Sequence, residues 1–154
     1  MLQLRVAPKA AEKSALGVLP QHFADRFGWD ELTAITATAW SSLDEGERRN
    51  AIIVTSNYGE AGAITYYGRA LGLPAAVSQH NNFFLWGPGN PGASVVIAVG
   101  SSVEDLREVF EDVQPVGPLT NALAMPYERE NPVSVCRRPK RPLMELWRAG
   151  KKFI

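Results

Sequence analysis

With 154 residues, 45% of them hydrophobic, the chain holds one domain's worth of globular sequence, enough to bury about two thirds of its unfolded surface. Its 16 basic and 16 acidic residues cancel, which removes an overall attraction to nucleic acid. No apolar run approaches the ~20 residues of a membrane span, and residues 1–20 lack the continuous apolar stretch of a secretory signal, so the sequence reads as a soluble domain.

Residues 1–20, with Pro8, Gly17 and Pro20 and no sustained periodicity, read as an irregular arm leading into a single α/β domain over 21–154. From Trp29, the positions Leu32, Thr36, Trp40 and Leu43 recur at helical spacing and predict a helix that Asp44-Glu45-Gly46 ends. Residues 51–56 are apolar enough for a strand buried on both faces, as parallel strands are. Asn57-Tyr58-Gly59-Glu60 opens a second helix running to about Leu71, stopped by Gly72 and Pro74.

A short strand over 74–78 and a stronger one over 94–99 come next. Ser101 and Ser102 then cap an acidic amphipathic helix over 103–113. Residues 115–118 interrupt the pattern. Residues 133–137 read as a late strand, antiparallel at an edge, and 143–149 as a closing helix with Leu143, Leu146 and Trp147 in one stripe. Strands alternating with helices imply right-handed βαβ crossovers. The expected architecture is therefore a three-layer, Rossmann-like α/β domain with a mainly parallel sheet and an antiparallel edge strand.

Charge is uneven along the chain. Residues 99–130 hold seven acids against Arg107 and Arg129, whereas residues 131–154 hold seven bases (Arg137, Arg138, Lys140, Arg141, Arg148, Lys151, Lys152) against Glu145. The basic run suits either an anionic lipid surface or a solvated face paired with the acids before it. Cys136 is the only cysteine; with no disulfide framework, it reads as a small buried hydrophobe.

Two stretches concentrate polar chemistry. The first, Ser56-Asn57-Tyr58-Gly59-Glu60-Ala61-Gly62, lies where the first strand meets a helix N-terminus, the place where open α/β sheets bind ligands. It has only Gly59 and Gly62 of a dinucleotide fingerprint, the chain has no P-loop, and Glu60 would repel a phosphate. Nucleotide binding is not expected. Asn57, Tyr58 and Glu60 either face a ligand, or Asn57 and Glu60 form a capping box.

The second stretch runs from Ser78 through Gln79, His80, Asn81, Asn82, Phe83, Phe84, Leu85 and Trp86 to Gly89, over the same sheet edge. Amides and imidazole beside aromatic rings suit a polyol: rings stack on the apolar face of a sugar while amides meet its hydroxyls. Alternatively the rings fill the core and the Asn residues make local turns. The candidate contacts are Asn57, Tyr58, Glu60, Ser78, His80, Asn81 and Trp86. No catalytic residue is expected. Neither Ser56 nor Ser78 sits in a GxSxG elbow, no acid is placed to orient His80, and Glu60 is the only acid in either loop. His22, His80 and Cys136 do not make a zinc set, so neither metal nor cofactor is expected.

Three motifs carry a resemblance. Residues 19–29 (LPQHFADRFGW) resemble an LPQxxADxFGW stretch. Residues 56–64 (SNYGEAGAI) resemble an NYGEAGAI stretch, and residues 78–88 an S-x-H-N-x-[YF]-x-x-WGP stretch. With Met125-Pro126-Tyr127-Glu128, Cys136-Arg137, Pro142-Leu143 and Trp147, the likeness spans roughly Ser14 to Phe153. Together these are similar to the C-terminal soluble region of bacterial membrane glycosyltransferases of the family-39 type, relatives of dolichyl-phosphate-mannose protein mannosyltransferases and aminoarabinose transferases. The resemblance implies a membrane-embedded N-terminal part of the same polypeptide that takes a sugar from a polyprenyl-phosphate donor on the extracytoplasmic (periplasmic) face. Its catalytic acid lies in that part, so no catalytic residue carries over, and Met1 would begin a piece cut from a longer chain.

The sequence thus points to an accessory domain at the cell membrane that binds a glycan or polyprenyl-phosphate-sugar, or covers the membrane active site. Two rivals stand beside it. One is a protein–protein interaction module without a small-molecule site, and the other a small independent hydrolase-like enzyme.

Overall fold

The structure, a computed structural model, describes residues 28–118 and 132–153. The arm at 1–20, most of the 19–29 motif and the 125–128 motif lie outside the described residues.

Helix α1 (Trp29–Ser41) starts at Gly28, whose φ of 88° turns the chain into it. Its inner face buries Leu32, Thr33, Thr36 and Ala39. The two threonines tolerate burial because their hydroxyls donate to the carbonyls of Trp29 (2.7 Å) and Leu32 (2.8 Å) one turn back. Asp44-Glu45-Gly46 does not simply end the helical run. Asp44 caps a second short helix, α2 (Glu45–Arg49), and forms a capping box with Glu47. The Asp-x-x-Glu spacing outweighed the Gly46 stop signal.

Strand β1 (Ala51–Thr55) feeds α3 (Tyr58–Tyr67), which tightens into a 3₁₀ turn (Gly68–Leu71) and stops at Gly72 in the left-handed conformation, φ 75°. Strand β2 is only Val77–Ser78, shorter than expected, and leads into a second 3₁₀ turn, Asn81–Trp86. Then come β3 (Val95–Val99) and α4 (Val103–Val109), capped by Ser102, whose hydroxyl accepts from the Asp105 N–H at 3.1 Å. Strands β4 (Phe110–Pro118) and β5 (Pro132–Pro139) and helix α5 (Leu143–Ala149) complete the described chain.

The five strands form one mixed sheet in the order β2-β1-β3-β5-β4. β1 is parallel to both β2 and β3, and β5 is antiparallel to both β3 and β4. Two expectations are corrected. The helix expected over 103–113 stops at Val109, and the stretch read as an interruption belongs to edge strand β4. Pro115 is tolerated there because the ladder to β5 shifts register between Pro115 and Gly117, and among the described residues β4 pairs on one side only. β5 is antiparallel as expected, but it lies inside the sheet and β4 takes the edge.

Alternation along the strands divides the core in two. Ile53, Val95, Ile97, Val99, Val133 and Val135 pack with Leu32, Ala39 and Leu43 near or on α1 and with Ala61 and Ile64 of α3. Ile52, Val96, Ala98 and Cys136 pack with Leu106 of α4, Phe110 and Leu143 of α5. Cys136 is wholly buried, and desolvation, helped by the Asp112 charge, pushes its thiol up to about 12; it is the inert hydrophobe expected. On the antiparallel side Arg137 meets Glu47 at 2.6 Å and holds that carboxyl below its ordinary range, while Arg138 meets Glu111 at 3.0 Å. Among the described residues no helix is long and apolar enough to cross a membrane.

Candidate functional site

Parallel pairing sets Thr55 beside Ser78, so the segments after β1 and β2 emerge at one sheet edge. Hydroxyls tie the two segments together. Ser78 Oγ donates to the Thr55 carbonyl (3.1 Å) and accepts from the His80 main-chain N–H (3.2 Å), and Thr55 Oγ1 donates to the Asn57 carbonyl (2.8 Å). The Tyr58 ring lies tilted against the His80 ring, centroids 5.1 Å apart. The two loops meet.

Within this edge, Asn57 caps α3 and forms a full capping box with Glu60. Glu60 does more than cap. Only 1% exposed, its carboxylate accepts from the Ser56 N–H (3.0 Å), the Asn57 N–H (3.2 Å) and the Ser56 hydroxyl (3.0 Å). This fills the crevice between β1 and β3, the switch point at which doubly wound sheets bind nucleotides. Ser56 N–H also donates to the Val99 carbonyl at 2.9 Å, and Gly100, with φ 81°, closes the crevice from the β3 side. A Cβ at Gly100 would fall 2.5 Å from Ser56 Oγ and 2.9 Å from Glu60 Oε1. An internal carboxylate therefore takes the main-chain donors that a phosphate would use.

The second loop is anchored from the C-terminal end of the chain. The Gln79 side-chain amide donates to the carbonyls of Leu146 (3.0 Å) and Trp147 (2.9 Å), in the last turn of α5. Lys152 N–H donates to the Gln79 carbonyl (3.0 Å), and Asn81 N–H to the Lys152 carbonyl (2.8 Å). Asn81 itself takes the left-handed conformation, φ 52°. The three rings of the 3₁₀ turn then part company. Phe84 stacks on buried Trp147 (5.8 Å, 8° between planes), Phe83 packs against the first core cluster, and Trp86 stays 71% exposed.

Trp86 and Phe83, with ring centroids 4.5 Å apart, form one wall of an open groove of about 570 Å³. The outer face of α3 and its 3₁₀ extension supply the other wall through Thr65, Tyr66 and Arg69, and the Leu73–Ala76 segment also lines it. Gly62, one turn after Tyr58 on the same helical stripe, also lines the groove. Of the residues singled out from sequence, Tyr58 and Trp86 are exposed, and Asn57 and Asn81 are half-buried. Glu60, Ser78 and His80 are buried and brace the edge. Tyr66, 77% exposed, and Arg69 went unnamed. Their signal was present: the core positions of α3 are Ala61 and Ile64, which turns Tyr66 outward.

A second concavity, about 330 Å³, lies between α4 and α5 on the other side of the sheet. Leu106, Phe110, Leu143 and Trp147 line it, with Asp105 and Arg141 among the few polar groups. Among the described residues no group of three His, Cys, Asp or Glu is placed to hold a metal ion. No protein-family model, no curated protein and no solved structure matches the chain.

Proposed function

We propose that this chain is a carbohydrate-binding accessory domain of a bacterial membrane glycosyltransferase, working on the extracytoplasmic face beside a membrane-embedded part of the same polypeptide. In this reading it holds part of a glycan acceptor or polyprenyl-phosphate-sugar donor and performs no bond cleavage itself. Its architecture is a three-layer, Rossmann-like variant. Helices α1 and α3 against one core cluster and α4 and α5 against the other favour that description.

The observation that carries the reading is the Trp86–Tyr66 groove. Sugar sites are shallow and open, with an aromatic face for the C–H side of the ring and polar groups for its hydroxyls. Trp86 and Tyr66 offer the faces, Arg69 offers donors, and the Thr65 hydroxyl, which accepts from the Ala76 N–H at 3.0 Å, keeps its own proton to donate. The α4–α5 cleft is smaller, and its rings, Phe110 and Trp147, are buried, so it offers a sugar no exposed aromatic face. Ser78 has its hydroxyl engaged with main-chain groups on both sides, which counts against Ser78 as a nucleophile.

Calorimetric titration with pentose and hexose oligosaccharides, beginning with α-mannobiose, tests the proposal. We expect binding on the order of millimolar, weakened roughly tenfold by Trp86→Ala, the loss typical of truncating an aromatic anchor. Because the indole is exposed, the variant should stay within about 0.5 kcal/mol of wild-type stability. A Trp86→Ala protein that melts early, or one that binds as tightly as wild type, removes Trp86 from the site.

A further inference from the structure

The bases of the C-terminal run fall into two groups with different surroundings. Arg137 and Arg138 meet Glu47, Glu111 and Asp112 toward the β4 edge. Arg148, Lys151 and Lys152 enter no ion pair among the described residues, and all three are exposed. They belong to the β2 side, where Lys152 pairs with the 79–81 segment through its main chain. Neither residues 79–92 nor residues 146–153 contain an acid. Among the described residues, positive charge there meets no acidic side chain.

Exposed apolar groups adjoin these bases. Leu85, next in the 3₁₀ turn to Phe84, is 69% exposed, and Phe153 is 50% exposed. Lys151 Nζ sits 4.9 Å from the Phe153 ring centroid and 5.5 Å from that of Phe84. Phe84 and Phe153 meet edge to face at 6.3 Å. The tail is held in place by the Gln79, Asn81 and Lys152 main-chain bonds, so rings and ammonium groups are presented together on a fixed base.

We propose that this surface docks on an anionic lipid bilayer: Leu85 and Phe153 enter the headgroup region while Arg148, Lys151 and Lys152 meet lipid phosphates. A projecting leucine beside exposed aromatic and lysine side chains matches what a bilayer interface offers, apolar depth beneath negative charge. A protein partner would require complementary shape. A bilayer requires only these two properties in register. The inference is independent of sugar binding, since Lys151, Lys152 and Leu85 do not line the Trp86 groove.

Flotation with phosphatidylcholine vesicles, with and without phosphatidylglycerol, tests it. The protein should float only with anionic vesicles and be released when salt shortens the screening length to a few Å. Lys151→Ala/Lys152→Ala should lower partitioning roughly 25-fold, the effect of ~1 kcal/mol for each base near an anionic surface. Leu85→Ser should lower it further with the melting temperature unchanged, and α-mannobiose affinity should stay as in wild type. Equal binding to neutral and anionic vesicles, or to neither, overturns the proposal, as does full binding by the lysine variant.

Discussion

Replacing Glu60 by Ala should destabilise the domain by about 3–4 kcal/mol, one of the two largest single-residue losses expected in this molecule. The carboxylate is 1% exposed and accepts two main-chain N–H groups and one hydroxyl. Hydrogen bonds to a charged acceptor contribute about 1.5–3 kcal/mol each, and donors left without it in a closed crevice keep their desolvation cost. Alanine also empties the space against which Gly100 is closed, and no neighbour can move in without disturbing the β1–β3 junction. Glu60→Gln retains one acceptor oxygen and should cost less than half as much. Thermal denaturation followed by circular dichroism distinguishes the cases, because a loss of this size shifts the midpoint by roughly 10 °C in a domain of about this length. If Glu60→Ala melts within a degree or two of wild type while sugar affinity collapses, Glu60 is a ligand contact and not the brace described above.

Trp147→Ala should be comparably costly, about 3–5 kcal/mol, the usual range for truncating a buried Trp. Trp147 is 4% exposed, lines the α4–α5 cleft and stacks on Phe84. The stack joins α5 to the 3₁₀ turn across more than 60 positions of sequence. Its loss should therefore loosen the Asn81–Trp86 turn as well as lower overall stability. Urea denaturation gives the first effect, and amide hydrogen exchange of residues 83–86 gives the second. Trp147→Phe keeps a ring under Phe84 and should retain most of both. An alanine variant that loses less than about 1 kcal/mol, with exchange at the turn unchanged, would show that the turn is held by its main-chain bonds alone.

Those two side chains also mark how much could be read without coordinates. The capping box at Asn57 and Glu60, the stop at Gly72 and the closing helix Leu143–Ala149 follow from local rules and stand in the fold as expected. So does the meeting of the β1 and β2 loops, which parallel pairing of consecutive βα units makes almost unavoidable. Strand β4 was not legible. The run from Val103 keeps helical spacing through Val113, and only the partner β5, more than 20 residues later, makes an extended chain preferable from Phe110 onward. The depth of Glu60 was hidden for a similar reason, since it depends on Gly100 approaching from β3.

The aromatic loop divides along the same line. Phe83, Phe84 and Trp86 look alike as a composition, and helical or strand periodicity does not say which ring faces solvent. Trp147 settles Phe84, the first core cluster settles Phe83, and Trp86 is left to line the groove with Tyr66. Ser78 and His80, chosen for their chemistry, are buried and brace the sheet edge, whereas Tyr66 and Arg69, which lie outside both polar stretches, are exposed on the groove.

The most direct test of a sugar groove between α3 and the Asn81–Trp86 turn is an amide NMR titration of the wild-type domain with α-mannobiose and related oligosaccharides. Saturable shifts should gather at Thr65, Tyr66, Arg69 and the Trp86 indole, fading toward Tyr58. Shifts that gather instead between α4 and α5, or an unmoved spectrum with every sugar tried, would contradict it.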